Sequence, residues 1–125
     1  MLGGDCARPV AVARFGECGS GVARAALRKN WIIRDADEPG FVRWAVSTGV
    51  RVLIVQLDEL DERALSVIER LSRHWNPVAC VVVGPVCAVN SAEVERTARQ
   101  AGAAAYVPAS AGVEEIEKLA TALAA

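Results

Sequence analysis

The sequence predicts an α/β fold in which a five-stranded parallel sheet is doubly wound, with helices on both of its faces. Short aliphatic runs alternate with segments of helical periodicity along the chain. The runs do not alternate polar and apolar residues, which is typical of strands buried on both faces of a parallel sheet. Of the 125 residues, 23 are Ala and 18 are Val, with few aromatics. This composition favours closely packed α/β layers.

Each aliphatic run has the length of one strand, and each is followed by a helical segment. The predicted strands are residues 10–14, 31–34, 50–57, 78–83 and 103–107, and the predicted helices are residues 21–30, 38–48, 61–75, 91–100 and 112–124. We expect one domain over residues 1–125, because this alternation forms a single open sheet. Ligands bind such sheets at the carboxyl ends of the strands, so the residues after each strand are the candidates for function.

Several helices carry their own sequence signals. The second has Pro39 near its start, where the missing backbone N–H costs little. The fourth starts at Ser91 with Glu93 and Glu95 in its first turn, which suits a helix N-terminus, and Gly102 follows its end. The third is expected to bury one face, made of Ala64, Leu65, Ile68, Leu71 and Trp75. The fifth repeats apolar residues at helical spacing after an acidic start: Val113, Ile116, Leu119, Ala120 and Leu123, with Glu114, Glu115 and Glu117.

Charge and cysteine usage exclude several functions. The 14 basic and 15 acidic residues give a net charge of −1, which favours neither nucleic acid nor an anionic membrane as a partner. The N-terminus has no signal-peptide pattern, and the longest uncharged stretch is too short to span a bilayer, so we expect a cytoplasmic protein. The four cysteines form no C-x-x-C pair and there is one histidine, so we expect no metal site and no cofactor. Cys80 is expected to pack as a buried free thiol.

Two stretches of the chain resemble one family. Residues 53–60 (LIVQLDEL) precede residues 64–71 (ALSVIERL), and residues 101–111 (AGAAAYVPASA) precede Glu114, Glu115 and Ile116. The first stretch is similar to the third strand, active-site loop and third helix of the receiver domain of bacterial response regulators. The second is similar to that family's AGADDYLTKPF…EEL segment. The resemblance covers nearly the whole chain and implies the flavodoxin-like receiver fold.

The resemblance also implies where a phosphotransfer site would lie. Family receivers hold Mg²⁺ with an acidic pair after strand 1 and use an aspartate ending strand 3 as the nucleophile. A Ser or Thr after strand 4 and a Lys after strand 5 contact the phosphoryl oxygens. In this sequence the corresponding positions carry other residue types: Ala13, Arg14 and Phe15 for the acidic pair, Gln56 for the nucleophile, Val82 or Val83 for the Ser or Thr, and Ala109 for the Lys. The family's aromatic position on strand 5 keeps its residue type in Tyr106.

A receiver scaffold without its chemistry predicts a pseudo-receiver that is not an enzyme. We expect it to bind another signalling protein, a second copy of itself, or both. By resemblance, the interaction face is formed by helix 4, strand 5 and helix 5: Glu93, Arg96, Thr97, Gln100, Tyr106, Val107, Glu114 and Lys118. Asp58 is an alternative phosphoacceptor if the register slips by two residues, which keeps the same strand face.

The loop of residues 16–21 supports a different hypothesis. Its glycines follow strand 1 and open a helix, where backbone N–H groups can approach a phosphate. The pattern is neither G-x-G-x-x-G nor a P-loop, so a flexible turn is the simpler interpretation. As a small-molecule or nucleotide site, the loop would use Gly19, Ser20 and Gly21, with Arg14 nearby. An acidic cluster at 58–62 is interpreted as a solvated loop, and the apolar loop at 84–90 as either a contact surface or an inward-folded segment.

Overall fold

A computed structural model describes residues 10–14, 20–36, 38–56, 62–74, 78–84, 91–108 and 112–124. Strands and helices alternate in the predicted order: β1 (Val10–Arg14), α1 (Ser20–Lys29), β2 (Ile32–Asp35), α2 (Phe41–Ser47), β3 (Val52–Gln56), α3 (Glu62–Ser72), β4 (Ala79–Val83), α4 (Ser91–Ala101), β5 (Ala105–Val107) and α5 (Val113–Ala124). Most bounds lie within two residues of the prediction. The helix predicted at 38–48 is the clearest exception, because Gly40 adopts a left-handed φ of 85° and α2 begins only after it.

The strands form one sheet in the order β2-β1-β3-β4-β5, and every neighbouring pair is parallel. This arrangement confirms the predicted fold class. β3 lies at the centre, and all five of its residues are buried. Burial on both faces explains why the strand runs lack polar alternation.

The core consists of two layers, one on each face of the sheet. Val10 and Val12 of β1 pack with α1 and α5, whereas Ala11 and Ala13 face the layer that contains α2, α3 and α4. The switch between layers at successive residues follows from the two-residue repeat of a strand. Helices therefore cover both faces of the sheet, as a doubly wound fold requires.

The buried face of α3 differs from the predicted one at two positions. Ala64, Ile68 and Leu71 are buried as expected, whereas Leu65 is only half-buried and Val67 takes its place in the core. The buried residues follow the i, i+3, i+4, i+7 spacing of a helix face, which centres the stripe on Val67 and Ile68 rather than on Leu65. Trp75 lies outside the described residues.

None of the helices within the described residues has both the length and the apolar character that a membrane span requires. The cytoplasmic location stays a prediction.

Candidate functional site

The carboxyl ends of the five strands meet at one edge of the sheet. The strands end at Arg14, Asp35, Gln56, Val83 and Val107. Strand register places Arg14 beside Asp35, Gln56 beside Val83, and Val83 beside Val107. The parallel sheet thus brings together most of the positions that the resemblance assigns to phosphotransfer, as the sequence predicts.

Arg14 forms an ion pair across the end of β1. Its Nε donates a hydrogen bond to Asp35 Oδ1 at 2.7 Å. This hydrogen bond lowers the pKa of the Asp35 carboxyl below its usual value. Asp35 is the one carboxylate among the five strand-ending residues, and a guanidinium already neutralises it. Arg14 therefore supplies a guanidinium where the resemblance would place an acidic ligand for Mg²⁺, the one carboxylate beside it is engaged in an ion pair, and Ala13 is fully buried.

Gln56 occupies the end of the central strand. Its side chain is 5% exposed and uncharged. An amide has no free electron pair with the nucleophilicity of a carboxylate, so Gln56 cannot form an acyl phosphate. The alternative phosphoacceptor, Asp58, lies outside the described residues, as does Ala109 at the position of the family lysine.

The end of β4 carries no Ser or Thr within the described residues. Val82 and Val83 lie inside β4 and are buried in opposite layers of the core. The residue that follows the strand is Gly84, whose backbone N–H donates to Val107 O at 2.8 Å. Gly84 provides no side chain that could contact a phosphoryl oxygen.

Tyr106 fills the space above Gly84. A Cβ built on Gly84 would lie 2.7 Å from Tyr106 Cζ and closer still to the hydroxyl oxygen, so no side chain fits there while the ring keeps its place. The ring is half-buried against the layer formed by α2, α3 and α4. The phenol thus lies at the end of β4, where a family receiver would present its Ser or Thr.

The predicted interaction face is only partly assembled. Glu93, Arg96 and Gln100 are exposed on α4, and Thr97 is half-buried. A hydrogen bond from Ser72 Oγ to Ala101 O, 3.3 Å long, places α3 beside one flank of α4. Helical spacing places Glu93, Thr97 and Gln100 on one side of α4.

Three residues assigned to that face lie elsewhere. Val107 is 3% exposed and packs in the layer of α1 and α5, because successive strand residues point to opposite faces. Glu114 and Lys118 are exposed, but they line a groove together with Lys29 of α1. Their side of α5 therefore faces α1, and the prediction had joined them to β5 by resemblance alone.

The glycine-loop hypothesis lies mostly outside the described residues. Gly19 is not described, and Ser20 and Gly21 are the first two residues of α1. Within the described part of the chain, no three His, Cys, Asp or Glu side chains cluster as metal ligands would.

Comparison with known proteins supports the fold. No protein-family model and no curated protein matches the sequence. Among solved structures, a response regulator from Thermotoga maritima is 13% identical with a TM-score of 0.67, covering 93% of this chain and 97% of its own. The signal receiver domain of NarL from Mycobacterium tuberculosis is 16% identical with a TM-score of 0.66, covering 92% of this chain and 94% of its own.

A third solved structure shows what the same fold can carry. A response regulator from Burkholderia pseudomallei, with a phosphorylated aspartic acid, a calcium ion and citrate, is 21% identical with a TM-score of 0.61. The match covers 86% of this chain and 62% of that one. These likenesses confirm that this chain has the fold of a response-regulator receiver domain.

Two residues of this edge lie in the stretches after strands that the sequence singled out, but sequence reasoning gave neither of them a role. Asp35 directly follows a predicted strand, so a partner for Arg14 could have been sought among the residues after strands. Gly84 follows three consecutive valines, which is a visible signal for the end of a strand. That Tyr106 covers Gly84 could be known only from the structure.

Proposed function

We propose that this chain is a regulatory protein that uses a receiver scaffold to bind another signalling protein or a second copy of itself. On this proposal it neither accepts a phosphoryl group nor catalyses a reaction. The observation that carries the proposal is the packing of Tyr106 over Gly84. By resemblance a Ser or Thr after β4 contacts the phosphoryl group, and the residue that follows β4 here is Gly84, which has no side chain and lies beneath the Tyr106 phenol.

The other strand ends support the same conclusion. Gln56 supplies an amide in place of a nucleophile, and Arg14 supplies a cation in place of a metal ligand. Each substitution alone would impair phosphotransfer, because nucleophile, metal and oxyanion contacts act on one transition state. Together with the intact sheet and helix layers, these substitutions favour a domain whose function lies in surface contacts with a partner protein.

The surface that we assign to partner binding is the β5 face, defined here as Glu93, Arg96, Thr97, Gln100 and Tyr106. It combines both charges, amide and hydroxyl groups and one aromatic ring, the mixture found at non-obligate protein interfaces. Arg96 is exposed on α4 and is suited to a bidentate contact with a partner carboxylate.

A thermal-unfolding panel tests the loss of phosphate chemistry. Beryllofluoride with Mg²⁺, inorganic phosphate, nucleotides and cyclic dinucleotides are each added to the protein. A ligand at about 100 times its Kd stabilises a native state by about 2.7 kcal/mol, which raises Tm by several degrees. We expect no shift from any of them. A rise in Tm with beryllofluoride and Mg²⁺ would indicate that the chain has a phosphoacceptor site. A rise in Tm with a nucleotide would favour the hypothesis that the glycine loop binds nucleotides.

Sedimentation velocity tests the second-copy branch of the proposal. If the β5 face joins two copies, Arg96→Glu lowers the dimer fraction, because it reverses a charge inside the interface. Arg73→Glu is the matched control, since Arg73 is highly exposed, directly follows α3 and is not part of the β5 face. A purely monomeric protein, or equal effects of both variants, would overturn homodimerisation through this face.

A further inference from the structure

β2 forms an open edge of the sheet and exposes apolar side chains there. It stands first in the strand order β2-β1-β3-β4-β5, so among the described strands its one neighbour is β1. Ile32 and Ile33 of β2 are 37% and 39% exposed, and Leu27 near the end of α1 is 84% exposed. In the part of the chain that the structure describes, these three are the exposed large hydrophobic side chains. Their concentration at one edge indicates a contact surface.

Leu27 and Ile33 belong to the same side of this edge. Register places Ile33 beside Val12, which packs in the layer of α1 and α5. Helical spacing turns Leu27 nearly opposite to Lys29, which lines a groove with α5. Because α1 contacts β1 and α5 contacts β3, the side of α1 that is turned away from α5 is the side of β2. Leu27 therefore flanks the open strand.

The backbone of β2 alternates between its neighbour and the open edge. The Ala36 N–H donates a hydrogen bond to Arg14 O at 2.9 Å, so residues 32, 34 and 36 turn their backbone groups toward β1. Residues 31, 33 and 35 consequently turn theirs toward the open edge.

Four of these edge groups have no hydrogen bond within the described part of the chain. The Trp31 N–H is already used, because it donates to Ala26 O at 2.9 Å, and Asp35 O accepts from the Glu38 N–H at 3.3 Å. The remaining groups are the N–H and the C=O of Ile33, the N–H of Asp35 and the C=O of Trp31. Another strand is the partner that matches such a row of donors and acceptors.

These four groups complement those of a second copy of the chain. In antiparallel pairing about a two-fold axis at Ile33, the two Ile33 residues exchange both of their hydrogen bonds, and each Asp35 N–H donates to Trp31 O of the other copy. The two groups that this register leaves without a partner, Trp31 N–H and Asp35 O, are the two already used within the chain. A register centred on Arg34 would instead place two guanidinium groups directly opposite each other.

The side chains agree with the register centred on Ile33. The two Ile33 side chains lie directly opposite each other, on the face that also carries Leu27 of each copy. Ile32 lies opposite Arg34 of the other copy. That guanidinium is already engaged, because its Nε lies 3.5 Å from Glu38 Oε2 and it stacks 4.6 Å from the centre of the Trp44 ring. No like charges therefore face each other across this pairing.

We propose that two copies of this chain join at the β2 edge in antiparallel register, which gives one continuous sheet with five strands from each copy. The inference rests on the proposed function only in that a second copy is the partner. The contact lies at the edge opposite β5, so both β5 faces remain free for another protein. One short strand per copy buries less than the roughly 800 Å² per partner of a stable interface, so we expect a weak, concentration-dependent dimer.

A dilution series of ¹⁵N-labelled protein tests the contact. It runs from about 1 mM to about 20 μM, because a dimer with a dissociation constant of about 1 mM holds half of the chains at the upper concentration. We expect the amides of Ile33 and Asp35 to shift with concentration, whereas those of the β5 face stay constant. In a mixture of labelled and unlabelled protein, an isotope-filtered NOE should join the Ile33 side chains of two copies.

A charge placed on the axis tests the register. Ile33→Lys sets two ammonium groups directly opposite each other, so it should raise the dissociation constant at least about tenfold. Thr121→Lys is the matched control, since it adds the same charge at an exposed position on α5. If Ile33→Lys does not fold, the filtered NOE in the wild-type protein decides the question.

Each contrary outcome has its own meaning. A protein that stays monomeric up to about 1 mM overturns this dimer and leaves a different protein as the partner in the proposed function. Shifts confined to the β5 face overturn it while supporting a second copy at that face. Ile33→Lys that dimerises like the wild type, or a missing NOE between the two Ile33 side chains in a dimer, also overturns it.

Discussion

Replacing Gly84 with alanine should force Tyr106 out of its place above β4. The added Cβ would overlap the phenol, and the neighbouring backbone of Gly84 is held by its hydrogen bond to Val107 O. Of the two overlapping groups, the Tyr106 ring is the one that can move. We therefore expect the ring to rotate toward solvent on the β5 face rather than the strand to shift.

The magnitude follows from the area that the ring loses. A tyrosine side chain buries about 150–250 Å² in a core, and Tyr106 is half-buried, so its displacement returns about 100 Å² to water. At about 25 cal/mol per Å² this costs about 2.5 kcal/mol. Gly84 does not adopt a left-handed φ, so alanine recovers about 0.4–1 kcal/mol by restricting the unfolded chain. The expected net loss in free energy of unfolding is about 2 kcal/mol.

Urea unfolding and ring NMR measure the two consequences separately. Tyr106 is the sole tyrosine, so the ring signals of ¹³C-labelled tyrosine report its position without assignment. In a Tyr106→Ala background the Gly84→Ala change should become stabilising by about 0.4–1 kcal/mol, since nothing remains to displace. Unchanged ring signals together with an unfolding free energy like that of the wild type would refute the packing argument.

Three further results are expected. Arg14→Met should raise the pKa of Asp35 toward its usual value in a ¹³C titration, because Arg14 lowers that pKa in the wild type, and an unchanged pKa would contradict this pairing. The ion pair favours folding above the unfolded pKa of Asp35, and this contribution is lost as the pH falls through the folded pKa. Cys80 should resist alkylation until unfolding in peptide-mapped mass spectrometry, because burial raises the pKa of its thiol to about 12, and rapid labelling of the native protein would be inconsistent with this. Leu53→Ala should cost about 2–5 kcal/mol in urea unfolding, whereas Leu27→Ala, at an 84% exposed position, should be nearly neutral, and equal losses would contradict the core assignment.

The fold could be predicted from the sequence because local signals and burial agree along most of the chain. The runs of Val, Ile and Leu around Leu53 and Val81 can be buried on both faces only in a central parallel strand. The helices between them repeat apolar residues at the spacing of one covered face. The predicted helix boundary was wrong where the backbone conformation of a single residue set it: Gly40 has a left-handed φ, so α2 begins after it.

The candidate site was predictable only in part. The sequence identified Arg14 because it ends a predicted strand, and Gln56 because the resemblance to receiver domains places the nucleophile at that position. It could not identify Glu117 as buried, because a glutamate in an acidic helix start usually faces solvent and only the position of α1 against α5 covers it. It also could not separate Glu114 and Lys118 from the β5 face, since helix orientation about its own axis depends on packing partners far apart in sequence.

Intact-mass measurement after exposure to a small-molecule phosphodonor and Mg²⁺ tests the central claim most directly. Tyr106 covers Gly84, Gln56 ends β3, and Arg14 holds Asp35, so we expect the mass to remain that of the unmodified chain. A control sample is treated with acid before digestion, because an acyl phosphate is then lost whereas a phosphate ester on a hydroxyl group elsewhere in the chain is retained. Addition of one acid-labile or hydroxylamine-sensitive phosphoryl group, mapped to Asp58 or another aspartate at the strand ends, would contradict the claim and establish this chain as a working phosphoacceptor.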